Sequence, residues 1–210
     1  SRTAPRALEQ ARWAAHEKKH AVALLGGPTS CDALGLLLRD SDELFLDQGS
    51  ALSCIVVDSP DPDDARTPGS MSVRSMLPVL SASTVEHLRN SVEHGLRLSR
   101  ANNTPTITLA HPALIASGAT LLLRPNRSAD DPATLVQRRS RGPRWTESGG
   151  ALRMARRLEL NTHHALPSPG DPSPVGFITV GPAANTLRQL SADLGLAGRV
   201  PSLHLGLVQP

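Results

Sequence analysis

Four aromatic side chains serve a chain of 210 residues: Trp13, Phe45, Trp145 and Phe177, with no tyrosine. A core built from this sequence therefore has to be filled by Leu, Val, Ile and Ala. The same scarcity disfavours the aromatic platforms on which single-stranded nucleic acids stack. With 39% hydrophobic and 20% charged residues, the chain is too apolar for general disorder and too polar for a membrane bundle. No apolar run approaches the roughly 18 residues of a spanning helix, and the opening SRTAPRALEQ lacks the apolar stretch of a secretory signal. The expectation is a soluble, cytoplasmic protein of one domain or one and a half, at about 150 residues per domain. Two cysteines, Cys31 and Cys54, are too few for a disulfide framework and read as reduced, buried thiols.

The net charge of +3 is unevenly spread. Nine arginines between Arg124 and Arg157 face only Asp130, Asp131 and Glu147, giving that segment +6 and leaving −3 on the remainder. Residues 125–172 also carry prolines at 125, 132, 143, 167, 169 and 172, which marks an irregular connector with one helix near Ala151–Leu160. Such a segment neutralises phosphates if it meets nucleic acid. Twenty arginines against two lysines across the chain favour a solvated linker in an arginine-heavy protein instead. The nucleic-acid reading predicts binding that falls steeply with salt and vanishes when Arg138, Arg139 and Arg141 become alanine.

On either side of the connector the pattern is regular. Residues 6–25, rich in Ala, Leu, Glu, Gln, Arg and Lys and followed by Gly26-Gly27-Pro28, predict a helix. Ala33–Leu38 and Leu52–Val57 read as buried strands, and the segment 58–72, with three prolines and four aspartates, as a loop. Met76–Leu80 predicts a short strand. Thr84 to about Arg100 predicts a helix with Val85, Leu88, Val92 and Leu96 on its inner face, an N-cap at Ser83 or Thr84, a capping box between Ser83 and Glu86, and an outer Glu93–Arg97 pair. Thr104–Ala110 and Ala119–Leu123 read as strands. After the connector, strand Val175–Val180, helix Pro182–Leu194 stopped by Gly195, and strand Ser202–Val208 form one βαβ unit. The fold expected is α/β: a mostly parallel sheet flanked by helices over residues 1–124, the connector over 125–172, and the start of a second α/β domain over 173–210.

Signatures of chemistry are sparse. His16-Glu17-Lys18-Lys19-His20 has the letters H-E-x-x-H of zinc proteases, but two lysines sit inside it and no third ligand is evident, so a solvated helix face is the reading and no metal is assigned. His87 and His94 lie seven apart, flanked by charges with no carboxylate completing a site, and read as surface residues; His163 and His164 lie in the connector. The chain contains no GxSxG, GxxxxGK[ST] or GxGxxG. The turn Gly181-Pro182-Ala183-Ala184-Asn185 has the form of any strand-to-helix junction that offers amides to an anion.

Three blocks carry a likeness beyond these patterns. Trp13-Ala-Ala-His-Glu17-Lys18 with Gly26 nine residues after Glu17 is similar to W-S-x-N-E-K…G. The run Cys54-Ile-Val-Val-Asp58, a Pro-rich loop, Gly95-Leu-Arg-Leu-Ser99 and Pro105–Leu109 resembles V-I-V-V-A-D-D-P, A-F-E-L-S and P-V-L-L-R. Gly176-Phe-Ile-Thr-Val-Gly181-Pro-Ala183-Ala-Asn185 and Leu203-His-Leu205-Gly206-Leu-Val-Gln-Pro210 resemble G-I-I-T-S-G-x-A-Y-N and L-K-L-G-M-T-x-P. All three resemble the thiamine diphosphate-dependent 2-oxoacid:ferredoxin oxidoreductases, and among them the large subunit of indolepyruvate ferredoxin oxidoreductase. The resemblance implies a pyrimidine-binding α/β domain in which Glu17 hydrogen-bonds the aminopyrimidine as the catalytic carboxylate, with Gly26 beside the cofactor.

The chain departs from that pattern in several places. The stretch from Leu34 to Cys54 is short, the loop H-S-S-Q-N-E-Q-D is replaced by Asp64-Ala-Arg-Thr-Pro-Gly-Ser-Met, and His16 stands where the family has Asn. There is no G-D-G…N segment for magnesium and diphosphate and no cysteine-rich insert for iron–sulfur clusters. The resemblance thus implies a chain that supplies at most the pyrimidine side. A diphosphate-binding domain or partner subunit brings Mg, and the complex works with ferredoxin, coenzyme A and an aryl 2-oxoacid. The competing expectation is a degenerate, non-catalytic α/β module kept for assembly.

Overall fold

A computed structural model describes residues 3–17, 20–26, 30–39, 46, 49–58, 67–73, 77–121, 149–164 and 175–209. The first helix, α1 (Ala4–His16), is followed by strand β1 (His20–Leu25), so the helix expected over 6–25 is two elements. Glu17 caps α1 and donates its N–H to the carbonyl of Trp13. Beyond it, Ala21, Ala23 and Leu25 alternate buried with exposed neighbours. That period of two is drawn out by parallel pairing to β2 (Ala51–Val57), which overrides local helix propensity. The strand expected over Ala33–Leu38 lies in a helix, α2 (Ser30–Arg39). Its apolar run is short enough to satisfy either period, and burial of Ala33, Leu34 and Leu37 follows the helical one.

The remaining elements of the first layer are α3 (Pro68–Val73), β3 (Val79–Ser81), α4 (Val85–Asn102), β4 (Thr106–Ala110) and α5 (Pro112–Ala116). Part of the expected loop is therefore helical: Pro68 opens α3, where a missing N–H costs nothing, and Asp58 Oδ1 accepts from the N–H of Gly69 at 2.9 Å. Residues 59–66 lie outside the described residues, as do Met76, Leu122 and Leu123; Ala119–Leu121 is irregular rather than a strand.

The sheet runs β1-β2-β4-β3-β8, parallel through β3 and closed by antiparallel β8 (Leu207–Gln209). Register sets Ala23, Cys54, Ile107 and Val79 side by side. This row packs with Leu8, Ala11 and Ala15 of α1 and Leu34 and Leu37 of α2 in one core that, among the described residues, holds no aromatic ring. The opposite row, Val22, Ser53 and Thr106, faces α4.

Helix α4 begins at Thr84, whose Oγ1 accepts from the N–H of His87 at 3.0 Å. Thr84, rather than a Ser83–Glu86 box, is the cap. The Glu93–Arg97 pair forms as expected, but the inner face differs. Ser91, Gly95, Leu98, Ser99 and Asn102 are buried, whereas Val85, Leu88, Val92 and Leu96 are half-buried on the flank. Close approach to the sheet explains the exchange. Thr106 Oγ1 donates to the carbonyl of Gly95 at 3.1 Å, and Ser99 Oγ accepts from the N–H of Leu52 at 2.9 Å. Gly95 and Ser99 fit where α4 crosses Ser53, Thr106 and Leu52, and Leu98 is buried beside them against Leu80, Ala155 and Leu207.

The hydroxyls in this layer are not all satisfied. Thr108 Oγ1 is buried with no hydrogen-bond partner among the described residues. Thr108→Val is expected to stabilise the protein by about 1 kcal/mol, because it removes an unpaired buried hydroxyl while keeping the shape. A higher midpoint of urea unfolding checks this, and an unchanged or lower midpoint refutes it.

A second sheet, β5-β7-β6, is built from β5 (Asn161–His164), β6 (Phe177–Val180) and β7 (Ser202–Leu205). β6 and β7 are parallel and joined through α7 (Ala183–Asp193), the βαβ unit expected. β5, which the connector's composition concealed, is antiparallel to β7 and follows α6 (Gly149–Arg157). The single strand expected over Ser202–Val208 breaks at Gly206 and changes sheets, β7 belonging to the second and β8 to the first. Asn161 Oδ1 accepts from the N–H groups of Gly206 and Leu207, each at 3.0 Å, and the Gly206 carbonyl accepts from the N–H of Ser81 at 2.9 Å. Leu207 then packs with Leu80, Leu98 and Ala155. No described helix is long and apolar enough to cross a membrane.

Candidate functional site

A cleft of about 960 Å³ opens where α4 and β3 meet the second sheet. Its α4 wall presents His87, Asn90, Ser91, His94 and Arg97, residues spaced three and four apart on one helical face. The facing wall brings Glu159, Thr162 and His204. Pairing of β8 with β3 and the Gly206 bend hold that wall in place.

Histidines dominate the site. Ser83 Oγ and His87 Nδ1 lie 2.6 Å apart, which fixes the His87 ring from its own helix N-terminus. The ring stacks on that of His204, with centroids 6.2 Å apart and planes inclined by 15°. His204 is 4% exposed, and its Nδ1 has no hydrogen-bond partner among the described residues. Burial holds all three imidazoles below their usual pKa. Arg188 adds to this at His87 against Glu86; Arg97 and His87 add to it at His94 against Glu93; His87, His164 and Arg188 add to it at His204 against the backbone of Thr179. At neutral pH the cleft thus carries uncharged rings able to donate or accept, beside Arg89 and the Glu93–Arg97 pair. His87, exposed as expected, and His94, half-buried rather than fully at the surface, both line it. No sequence signal pairs either with His204, which arrives from an element more than one hundred residues away.

The residues singled out by sequence lie elsewhere. Glu17 is exposed at the C-terminus of α1, and Gly26 is exposed just past the end of β1. A six-residue strand lies between them; at about 3.3 Å per residue its ends are about 17 Å apart. Neither residue lines the cleft. Within this chain Glu17 and Gly26 stand at opposite ends of β1, both open to solvent.

His16 ends α1 and His20 opens β1; the two therefore do not share a helix face as H-E-x-x-H requires. Among the described residues no cluster of three His, Cys, Asp or Glu side chains is arranged for a metal. Cys54 is buried and its thiol is pushed up to about 12 by burial, so it stays protonated and unreactive. Cys31, expected to be buried, is half-buried. Of the arginine-rich connector, Arg153, Arg156 and Arg157 are exposed on α6; Arg138, Arg139 and Arg141 lie outside the described residues.

No protein-family model matches the chain, and no curated protein does. Among solved structures, it is similar to the 2-oxoglutarate:ferredoxin oxidoreductase from Magnetococcus marinus, determined with 2-oxoglutarate, coenzyme A and succinyl-CoA bound. The TM-score is 0.56 and the identity 16%, over 100% of this chain and 46% of that one. The chain thus spans less than half the length of the protein it resembles. What the likeness shows is a shared fold, an α/β architecture with a mostly parallel sheet flanked by helices.

Proposed function

We propose that this chain is a non-autonomous part of a 2-oxoacid:ferredoxin oxidoreductase-like enzyme. The observation that carries the reading is the fold likeness over the whole chain to such an oxidoreductase. Within this reading, residues 1–124 form the pyrimidine-side α/β domain, 125–172 the connector, and 173–210 the start of a second α/β domain. The reaction is the oxidative decarboxylation of an aryl 2-oxoacid in the cytoplasm, the acyl group passing to coenzyme A and the electrons to ferredoxin. Thiamine diphosphate, when bound, supplies the electron sink for decarboxylation. Magnesium, the diphosphate site and the iron–sulfur clusters belong to a further domain or a partner subunit. The exposed Glu17 then acts across a boundary, sheltered only once that partner is docked.

A second reading is favoured by one specific observation. Glu17 and Gly26 stand exposed at opposite ends of β1, which suits a degenerate assembly module that holds no cofactor. Calorimetric titration with thiamine diphosphate and Mg²⁺ separates the two. The enzymatic reading expects binding heat only when a diphosphate-binding partner chain is present, and Glu17→Ala is expected to weaken it about tenfold or more, the worth of a charge-assisted hydrogen bond. Absence of heat with the partner present supports the assembly module. Affinity unchanged by Glu17→Ala removes the role assigned to that carboxylate.

A further inference from the structure

The second sheet is tied to the first by the β3–β8 pairing, by Ser81 N–H to the Gly206 carbonyl, and by Asn185 Nδ2 to the Ser83 carbonyl at 2.7 Å. The His87–His204 stack sits in the same seam, one ring from α4 and one from β7. Ser83 joins both devices: its carbonyl receives Asn185 while its hydroxyl contacts His87. The seam borders the cleft, so water reaches its edge although His204 itself is buried.

We propose that the His87–His204 stack is an acid-sensitive latch, closed while both rings are neutral and released when they take up protons, freeing β7 and α7 from α4 and β3 and widening the cleft. Two stacked cations repel, and among the described residues no carboxylate receives the charge of a buried imidazolium at 204. On α4, Glu86 favours a proton on His87, and a proton on His87 disfavours one on His94. Arg188, from α7, opposes protonation of both rings of the stack, and His164, from β5, opposes it at His204; the backbone of Thr179, from β6, partly offsets this. Among the described residues the carboxylates on the cleft walls are Glu159 and Glu93, the latter committed to Arg97; Arg89 adds a further positive charge.

Depressed midpoints mean that the opened form binds more protons. The closed form is therefore fully favoured above about pH 6.5, the ordinary histidine value, and is lost as pH falls through the depressed midpoints. Each pH unit of depression is worth about tenfold in the open-to-closed ratio.

The test uses the intact chain. Amide exchange of Leu203, Leu205 and Leu207, corrected for intrinsic rates, is followed between about pH 8 and about pH 5, with Ala23 and Cys54 as reporters of the distant core. Histidine ring resonances are titrated in parallel. Protection in β7 and β8 is expected to fall about tenfold toward acid while the reporters hold, with both ring midpoints below the ordinary histidine value. His204→Phe, which keeps a stacking ring without a titrating nitrogen, should flatten the response, as should His87→Phe. Should the first variant not fold, the second and the ring midpoints decide. An acid response equal to the parent's in whichever variant folds, ring midpoints at or above the ordinary value, or no acid response in the parent overturns the latch.

Discussion

Gly206→Ala is expected to cost about 3 kcal/mol or more and to detach the second sheet from the first. A Cβ at this position would stand 2.2 Å from the carbonyl oxygen of Leu160 and 3.1 Å from its carbonyl carbon. Both atoms are backbone, and that oxygen already accepts the Gly206 N–H at 3.1 Å. A flexible side chain swings away from such an intrusion; the peptide between α6 and β5 cannot move without breaking the Asn161 Oδ1 bonds to Gly206 and Leu207. The cost therefore lies at or beyond the upper end of ordinary overpacking. Chemical denaturation reads the loss, and amide exchange should place it in β5, β7 and β8 while α1, β1 and β2 keep their protection. Near-parental stability would show that the bend does not need a glycine.

That bend also marks the limit of what the sequence discloses. Parallel strands were legible in both sheets, β2 and β4 in the first and β6 in the second, from β-branched runs between turn residues, and α4 and α7 from their caps and periodicity. Errors fell where a short stretch satisfied two periods. Ala21–Leu25 continued a helical composition until β2 gave it a partner, and Ala33–Leu38 carried too few residues to distinguish strand from helix. β5, with the sequence Asn-Thr-His-His, has no strand signal of its own; β7 makes it one. The candidate site was less legible still. His87 and His94 could be placed on one helix face, but the cleft exists because His204 and Glu159 come from across a seam, and a switch of sheets within Ser202–Val208 leaves no trace in hydrophobic pattern. Glu17, chosen for its neighbours in sequence, was set apart from Gly26 by the strand between them.

The polar underside of α4 yields the second large effect. Gly95→Ala would place a Cβ 2.5 Å from Ser53 Oγ and 3.1 Å from Thr106 Oγ1, and is expected to destabilise the protein by about 2 kcal/mol. Better helix propensity for alanine returns up to about 1 kcal/mol of the gross clash, a gain already counted in that net figure. The clash has an identifiable partner, which makes the prediction sharper than a bulk measurement. Ser53 Oγ is buried without a hydrogen-bond partner among the described residues, so Ser53→Ala alone should be neutral or slightly stabilising. In the double variant the nearest remaining atoms are Thr106 Oγ1 at 3.1 Å and the residue 53 Cβ at 3.3 Å, close but tolerable with a small shift of the helix. The double-mutant cycle should therefore show a favourable coupling of about 1 kcal/mol or more. Additive effects would mean that α4 withdraws from the sheet as a unit when Gly95 is filled, and that the bond from Thr106 Oγ1 to the Gly95 carbonyl, not the 2.5 Å approach to Ser53, sets the spacing of this layer.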